Sequence, residues 1–223
     1  MKTFLLSILV LATSVLSAQN FRLGFQTSPH FSWINSSNGE ISNDEVRLGL
    51  RYGLDADIYL AGFPRYTINT GLFVANHSFK AQYTTAQSFS INGKVFDEAV
   101  NILYKTNYVE IPMNIKLRSD MFYRMTFYGQ FGLSNLFNIS ASATSSDKQL
   151  DGDSVNDGAL NRHIRFYNVN MIMGGGMEYD VGSNTSINVG VQYSNGLTDV
   201  TKIESLNEKS VFNSLRLIVG VMF

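Results

Sequence analysis

Residues 46–60 read VRLGLRYGLDADIYL, with an apolar side chain at every even position and Arg47, Arg51, Asp55 and Asp57 among the odd ones. A repeat of two belongs to an extended strand with two unlike faces; a helix would scatter the same residues around its circumference. The pattern recurs at residues 21–33, 66–74, 109–117, 123–133, 167–179, 187–193 and 211–223. No helical period competes with it beyond the first few residues, so the chain is predicted to be all-β.

The connections alternate as well. Long gaps at 35–45, 84–103, 140–163 and 195–210 take turns with short ones at 61–65, 119–122 and 181–184. Eight strands joined in this way form an antiparallel up-and-down meander whose long loops share one end. Closed into a barrel, it has the asymmetry of bacterial outer-membrane proteins, with short periplasmic turns and longer outside loops. An even number of strands would bring both termini to the periplasmic end.

Periodicity alone leaves the outward face undecided, since a soluble eight-stranded barrel alternates too. Gly24, Gly49, Gly53, Gly71, Gly132, Gly174, Gly176, Gly190 and Gly220 share the polar parity, against Gly129 and Gly175 on the other. On a solvent face glycine only weakens a strand, whereas in a narrow lumen it makes room for large neighbours. The apolar face carries aromatics near both strand ends: Phe21, Tyr66, Tyr123, Tyr179 and Phe223 toward the turns, and Phe31, Trp33, Tyr167 and Tyr193 toward the loops. Two such girdles, about 25 Å apart, bound the lipid-facing band of a membrane barrel. Of these, Phe223 stands at the last outward position of the final strand. The expected surroundings are therefore outer-membrane lipid, with the polar residues inside.

A lumen ringed by eight strands is just wide enough for side chains to fill. Its charges must pair, because a lone buried ion is costly. Counting up from the turns puts Arg51, Glu110 and Arg216 near mid-height. Asp55, Asp57, Lys116, Arg124 and Glu178 fall lower, with Arg22 and Asp180, while Arg47 lies higher. Glu110 is expected to bridge the guanidinium groups of Arg51 and Arg216, since one carboxylate can accept two charge-assisted donors. Pro112 has no N–H to donate and should interrupt the ladder beside Glu110.

The chain opens MKTFLLSILVLATSVLSA, a lysine, an apolar run and small residues at the end, which is the pattern of a signal peptide cleaved after Ala18. The barrel domain would then span residues 19–223. There is no cysteine, so neither disulfides nor a lipidated cysteine hold this exported chain. The formal charge of −1 offers no basic surface for nucleic acid.

Motifs for chemistry are sparse. Neither GxSxG nor HExxH is present, and the histidines are His30, His77 and His163. His77 and Ser78 are adjacent on a strand and point to opposite faces, which does not aim a base at a nucleophile. By height His30 and His77 would lie near the rim with Asp157. No catalytic residue and no cofactor is expected. The loop DKQLDGDSVNDG gathers Asp151, Asp153 and Asp157, weak candidates for a calcium site, but Val155 and Asn156 break the EF-hand spacing. A second loop, SFSINGKVFDEAV, carries Phe89, Ile91, Val95 and Phe96 around the turn signal Asn92-Gly93. It reads as a hairpin continuing strands three and four above the membrane, with apolar side chains suited to a protein partner.

Residues 108–118, YVEIPMNIKLR, resemble the YxEIPxxxK stretch of the PorT-like outer-membrane barrel family of Bacteroidetes. The likeness extends to the leader, the first strand (RLGFQTSPHFSW) and the last (SLRLIVGVMF). It implies an eight-stranded barrel without assigned catalytic residues, whose relatives are linked to type IX secretion and to accessory subunits of outer-membrane machines. The expected function is non-enzymatic, structural or partner-binding, in the outer membrane. A stand-alone barrel of the OmpX type and a lipid-modifying enzyme are the alternatives.

Overall fold

A computed structural model describes residues 21–36, 41–42, 46–83, 89–91, 94–96, 100–145, 154–155, 164–200 and 210–223. The expected signal peptide therefore lies outside the described residues. Eight long strands follow in chain order: β1 (Phe21–Ser36), β2 (Arg47–Leu60), β3 (Phe63–Tyr83), β4 (Val100–Arg118), β5 (Met125–Ser145), β6 (Tyr167–Gly182), β7 (Thr185–Gly196) and β8 (Ser210–Met222). Each pairs antiparallel with its sequence neighbours, and β8 returns to β1, giving a closed eight-stranded barrel. The seam is sealed by reciprocal backbone bonds between Leu23 and Phe223 (3.1 and 2.8 Å). Closure leaves no open edge in the wall, which in hydrocarbon would strand unpaired N–H and C=O groups.

The parity of the sequence maps onto the two faces of the wall. Leu48, Leu50, Tyr52 and Leu54 of β2 stand outward, while Arg51, Asp55 and Asp57 are buried inside. On β4 the outward row Met113, Ile115 and Leu117 alternates with buried Asn114 and Lys116. Toward the loops the outward row turns polar across three strands. Asn76 donates to Asn107, and Asn107 Nδ2 to Ser140 Oγ at 2.8 Å, marking the edge of the apolar band. β3, β4 and β5 continue past that row, paired from Ser78↔Lys105 to Tyr83↔Val100 and from Ile102↔Ser145 to Asn107↔Ser140. Short strands flank this extension, Ile41–Ser42 on β3 and Ser154–Val155 on β5. Phe89–Ile91 pairs with Lys94–Phe96 as a separate hairpin.

The wall departs from uniform pairing at Pro112. The β3–β4 ladder stops at Thr70↔Met113 and resumes at Phe73↔Glu110. Thr70 Oγ1 donates to the Pro112 carbonyl (2.8 Å) in the gap. On its other side Pro112 keeps its place opposite Ser134.

Two expectations are corrected. The β4–β5 turn consumes residues up to Arg124, so Tyr123 and Arg124 are turn residues with φ of 46° and 70°, not the start of a strand. And the lumen is not uniformly polar. Phe73, Tyr108, Tyr128, Leu136, Ile172, Phe212 and Ile218 also face inward and are buried. Around Phe73, Ile172 and Ile218 both faces are apolar, as in GLFVA and LRLIVGVMF, so the period of two carries little contrast there.

Candidate functional site

The lumen is filled by two charged layers and an aromatic cap. The lower layer centres on Lys116 and Glu178. Lys116 Nζ reaches Asp57 Oδ2 (2.8 Å) and Glu178 Oε1 (2.6 Å). Arg118 contacts the same two carboxylates, Nη1 at 3.4 Å from Asp57 Oδ2 and Nη2 at 2.6 Å from Glu178 Oε2. Arg22 joins from β1, 3.1 Å from Glu178 Oε2 and 2.6 Å from Ser186 Oγ. Asn69 Nδ2 donates to both Asp55 Oδ1 (2.8 Å) and Asp57 Oδ1 (2.9 Å), bridging the two neighbouring carboxylates. The Lys116 ammonium also lies 4.3 Å above the Tyr128 ring, whose hydroxyl donates to Asn188. That ring needs Gly176 and Gly190, since a Cβ at either would come within 2.7 or 2.6 Å of the Tyr128 oxygen.

The middle layer has one anion and two cations. Glu110 Oε1 lies 3.1 Å from Arg51 Nε and 2.7 Å from Arg216 Nη1, and all three residues are nearly inaccessible. Arg51 stacks on Phe73 with its guanidinium carbon 3.3 Å from the ring centroid. Arg216 also meets Gln192 Oε1 (3.4 Å) and Ser214 Oγ (3.3 Å). Gln26 joins the layers: with its amide turned to suit its neighbours, its oxygen accepts from Arg51 Nη1 (2.8 Å) and its nitrogen donates to Asp55 (3.3 Å).

Above lie His30 and His77, both buried, their ring centroids 4.7 Å apart. Tyr108 and Phe212 pack around His77 at 5.8 and 5.4 Å. The histidines thus form part of the filling rather than the rim. Arg47 is half-buried higher on β2, on the loop side of Arg51.

Arg124 does not belong to the network. It is exposed at the turn end, its guanidinium 5.9 Å from the outward-facing Tyr179 ring. Its place is taken by Arg118, which sequence reasoning passed over although it shares the parity of Lys116. Asp151, Asp153, Asp157 and His163 lie outside the described residues, as do the side chains of Phe89, Ile91, Val95 and Phe96. Among the described residues no three His, Asp or Glu side chains converge as a metal set. A cavity of about 330 Å3 opens beneath the lower layer, lined by Arg22, Tyr59, Arg118, Glu178, Asp180 and Thr185 among others.

Chemically, the arrangement braces the wall. Five strands contribute charges that meet across the lumen, and both layers pair opposite signs within hydrogen-bond reach.

No curated protein sequence matches the chain. Among solved structures it is similar to the neisserial surface protein NspA (13% identity, TM-score 0.48, covering 91% of this chain and 95% of that one). It is also similar to the attachment invasion locus protein Ail of Yersinia pestis (13%, 0.39, 92% and 99%), solved with the heparin analogue sucrose octasulfate. The outer membrane protease OmpT of Escherichia coli is a third (11%, 0.42, 92% and 95%). The model of the outer membrane protein beta-barrel domain matches residues 17–202. With most of its length matched by that model, and a closed wall apolar outside and charged inside, the chain belongs to the outer membrane protein beta-barrel domain family.

Proposed function

We propose that this outer-membrane barrel is a non-enzymatic, structural or partner-binding subunit that presents its loop end to another protein, in a PorT-like role within a type IX secretion or outer-membrane assembly complex. The observation that carries this reading is the continuation of β3, β4 and β5 beyond the Asn76, Asn107 and Ser140 row. A barrel that needed only to span lipid could end its strands at that edge, since about 9–11 residues cross a bilayer; β3 and β5 have 21 each. The filled lumen supports a bracing role over a transport path. In this reading the turn end, where both chain ends of the barrel lie, faces the periplasm, and Phe89, Ile91, Val95 and Phe96 offer an apolar contact surface outside.

Affinity purification of the tagged chain in mild detergent tests it. Stoichiometric recovery with a large membrane protein is the expected result; recovery of the barrel alone would favour the second reading, a stand-alone barrel of the OmpX type whose loops bind an outside ligand. A changed lipid profile on deletion would instead point to an enzyme.

A further inference from the structure

We propose that the β4–β5 turn is a lipid anchor, gripping anionic phospholipid headgroups at the turn end of the barrel. The turn reads SDMFYR over residues 119–124. Met121, Phe122 and Tyr123 are 63, 61 and 81% exposed, three apolar side chains in succession. Phe122 and Met125 exchange backbone hydrogen bonds (2.8 and 2.9 Å), which makes Tyr123 and Arg124 the central pair of a two-residue turn, both at positive φ. Asn-Gly makes such a turn with least strain. The Ser183–Asn184 turn between β6 and β7 takes the same twist with small polar residues. Placing tyrosine and arginine there is unfavourable for the backbone, and strain of this kind is retained where it serves a contact.

Two observations identify the partner as lipid. The turn continues the lipid-facing band: outward Leu117 precedes it, outward Phe127 follows it, and Ser119 N–H bonds the Phe127 carbonyl (2.8 Å). The Phe122 and Tyr123 rings pack edge to face at 4.7 Å, and a tyrosine with an apolar body and polar tip suits the headgroup level. Charge gives the second. Asp120 is chelated by Arg65 (3.1 and 2.6 Å), and Asp180 lines the cavity beneath the lower layer together with the cations Arg22 and Arg118. With Asp120 neutralised, the turn presents the Arg124 guanidinium as its net charge, beside the girdle residue Tyr179. A cation at the edge of an apolar knob is complementary to a phosphate above acyl chains.

The test uses the full chain refolded into vesicles. Trp33 is the single tryptophan, so Trp33→Phe with Phe122→Trp gives one reporter on the turn. Its emission is expected to be quenched by brominated phosphatidylcholine. For the headgroup, native mass spectrometry reads the phosphatidylglycerol to phosphatidylcholine ratio retained by the barrel. Arg124→Gln should lower that ratio about fivefold, the weight of one cation near an anionic surface. The double change Tyr123→Asn with Arg124→Gly should lower it equally while folding at least as well, since it supplies the easier turn. Unquenched emission, or an unchanged ratio in both variants, would overturn the proposal and leave the turn as a water-exposed surface for a periplasmic protein.

Discussion

Glu110 meets two guanidinium groups through one oxygen, whereas Glu178, in the layer below, uses both oxygens to meet Lys116, Arg118 and Arg22. In the lower layer Lys116, Arg118, Asp57 and Glu178 each meet at least two opposite charges, so losing either Lys116 or Arg118 leaves both carboxylates with a cation. In the middle layer a single carboxylate is the shared counter-ion of two buried cations. A buried ion pair is weak evidence for stability as it stands, but breaking one by removing a partner strands the remaining charge in low dielectric. Equal chemistry is therefore wired for redundancy in one layer and for dependence in the other.

The largest effect should come from Glu110→Gln. It leaves Arg51 and Arg216 facing each other without their shared counter-ion, and the unfolding free energy measured by urea titration in vesicles is expected to fall by about 3–5 kcal/mol. Lys116→Met removes the most deeply buried cation below, yet Arg118 still contacts Asp57 and Glu178, and Arg22 still contacts Glu178. A loss of about 2 kcal/mol is expected by the same titration. If Lys116→Met proved as damaging as Glu110→Gln, the contrast between the layers would fail.

How much of this was legible in the sequence follows from the contrast of the alternation. Where one face is apolar and the other charged, as on β2 and β4, parity alone assigned Arg51, Asp57, Glu110 and Lys116 to the lumen, and the count of heights brought Glu110 between its two arginines. Parity failed where a turn intervened: Tyr123 and Arg124 sit at positive φ, so neither continues the facing of the strand after it. It was silent where both faces are apolar, which hid Phe73 and Ile218 inside the barrel. The tilted contact of His30 with His77 depends on the staggered register of β1, β2 and β3, which no single strand records. The extension of β3–β5 past the band was readable only as the turn signal Asn92-Gly93.

The middle layer contains one compensation that the comparison should also resolve. The Arg51 guanidinium lies over Phe73, where the negative face of the ring attracts it in place of a second carboxylate. Phe73→Leu keeps an apolar side chain but removes that face. The expected cost is about 1 kcal/mol, the range of a desolvated cation–π contact. Combined with Glu110→Gln it should cost more than the two single changes added, because Arg51 then loses both of its compensations. Strict additivity in that double-mutant cycle would mean that the ring serves packing alone.

The smallest effect is expected outside the barrel, where the same chemistry is left in water. Arg65 and Asp120 form a two-point pair at 3.1 and 2.6 Å, as close as any in the lumen, but their side chains are 63 and 78% exposed. Solvent screens the attraction and competes for both partners, so Arg65→Ala should change the unfolding free energy by less than about 1 kcal/mol. Raising the salt from low to about 1 M, where the screening length falls to about 3 Å, should erase what remains. The Glu110→Gln deficit should persist in the same salt, since ions do not reach the filled lumen. If the two deficits shrank together, the protection of the middle layer from solvent would be refuted, and with it the reason for its dependence on one carboxylate.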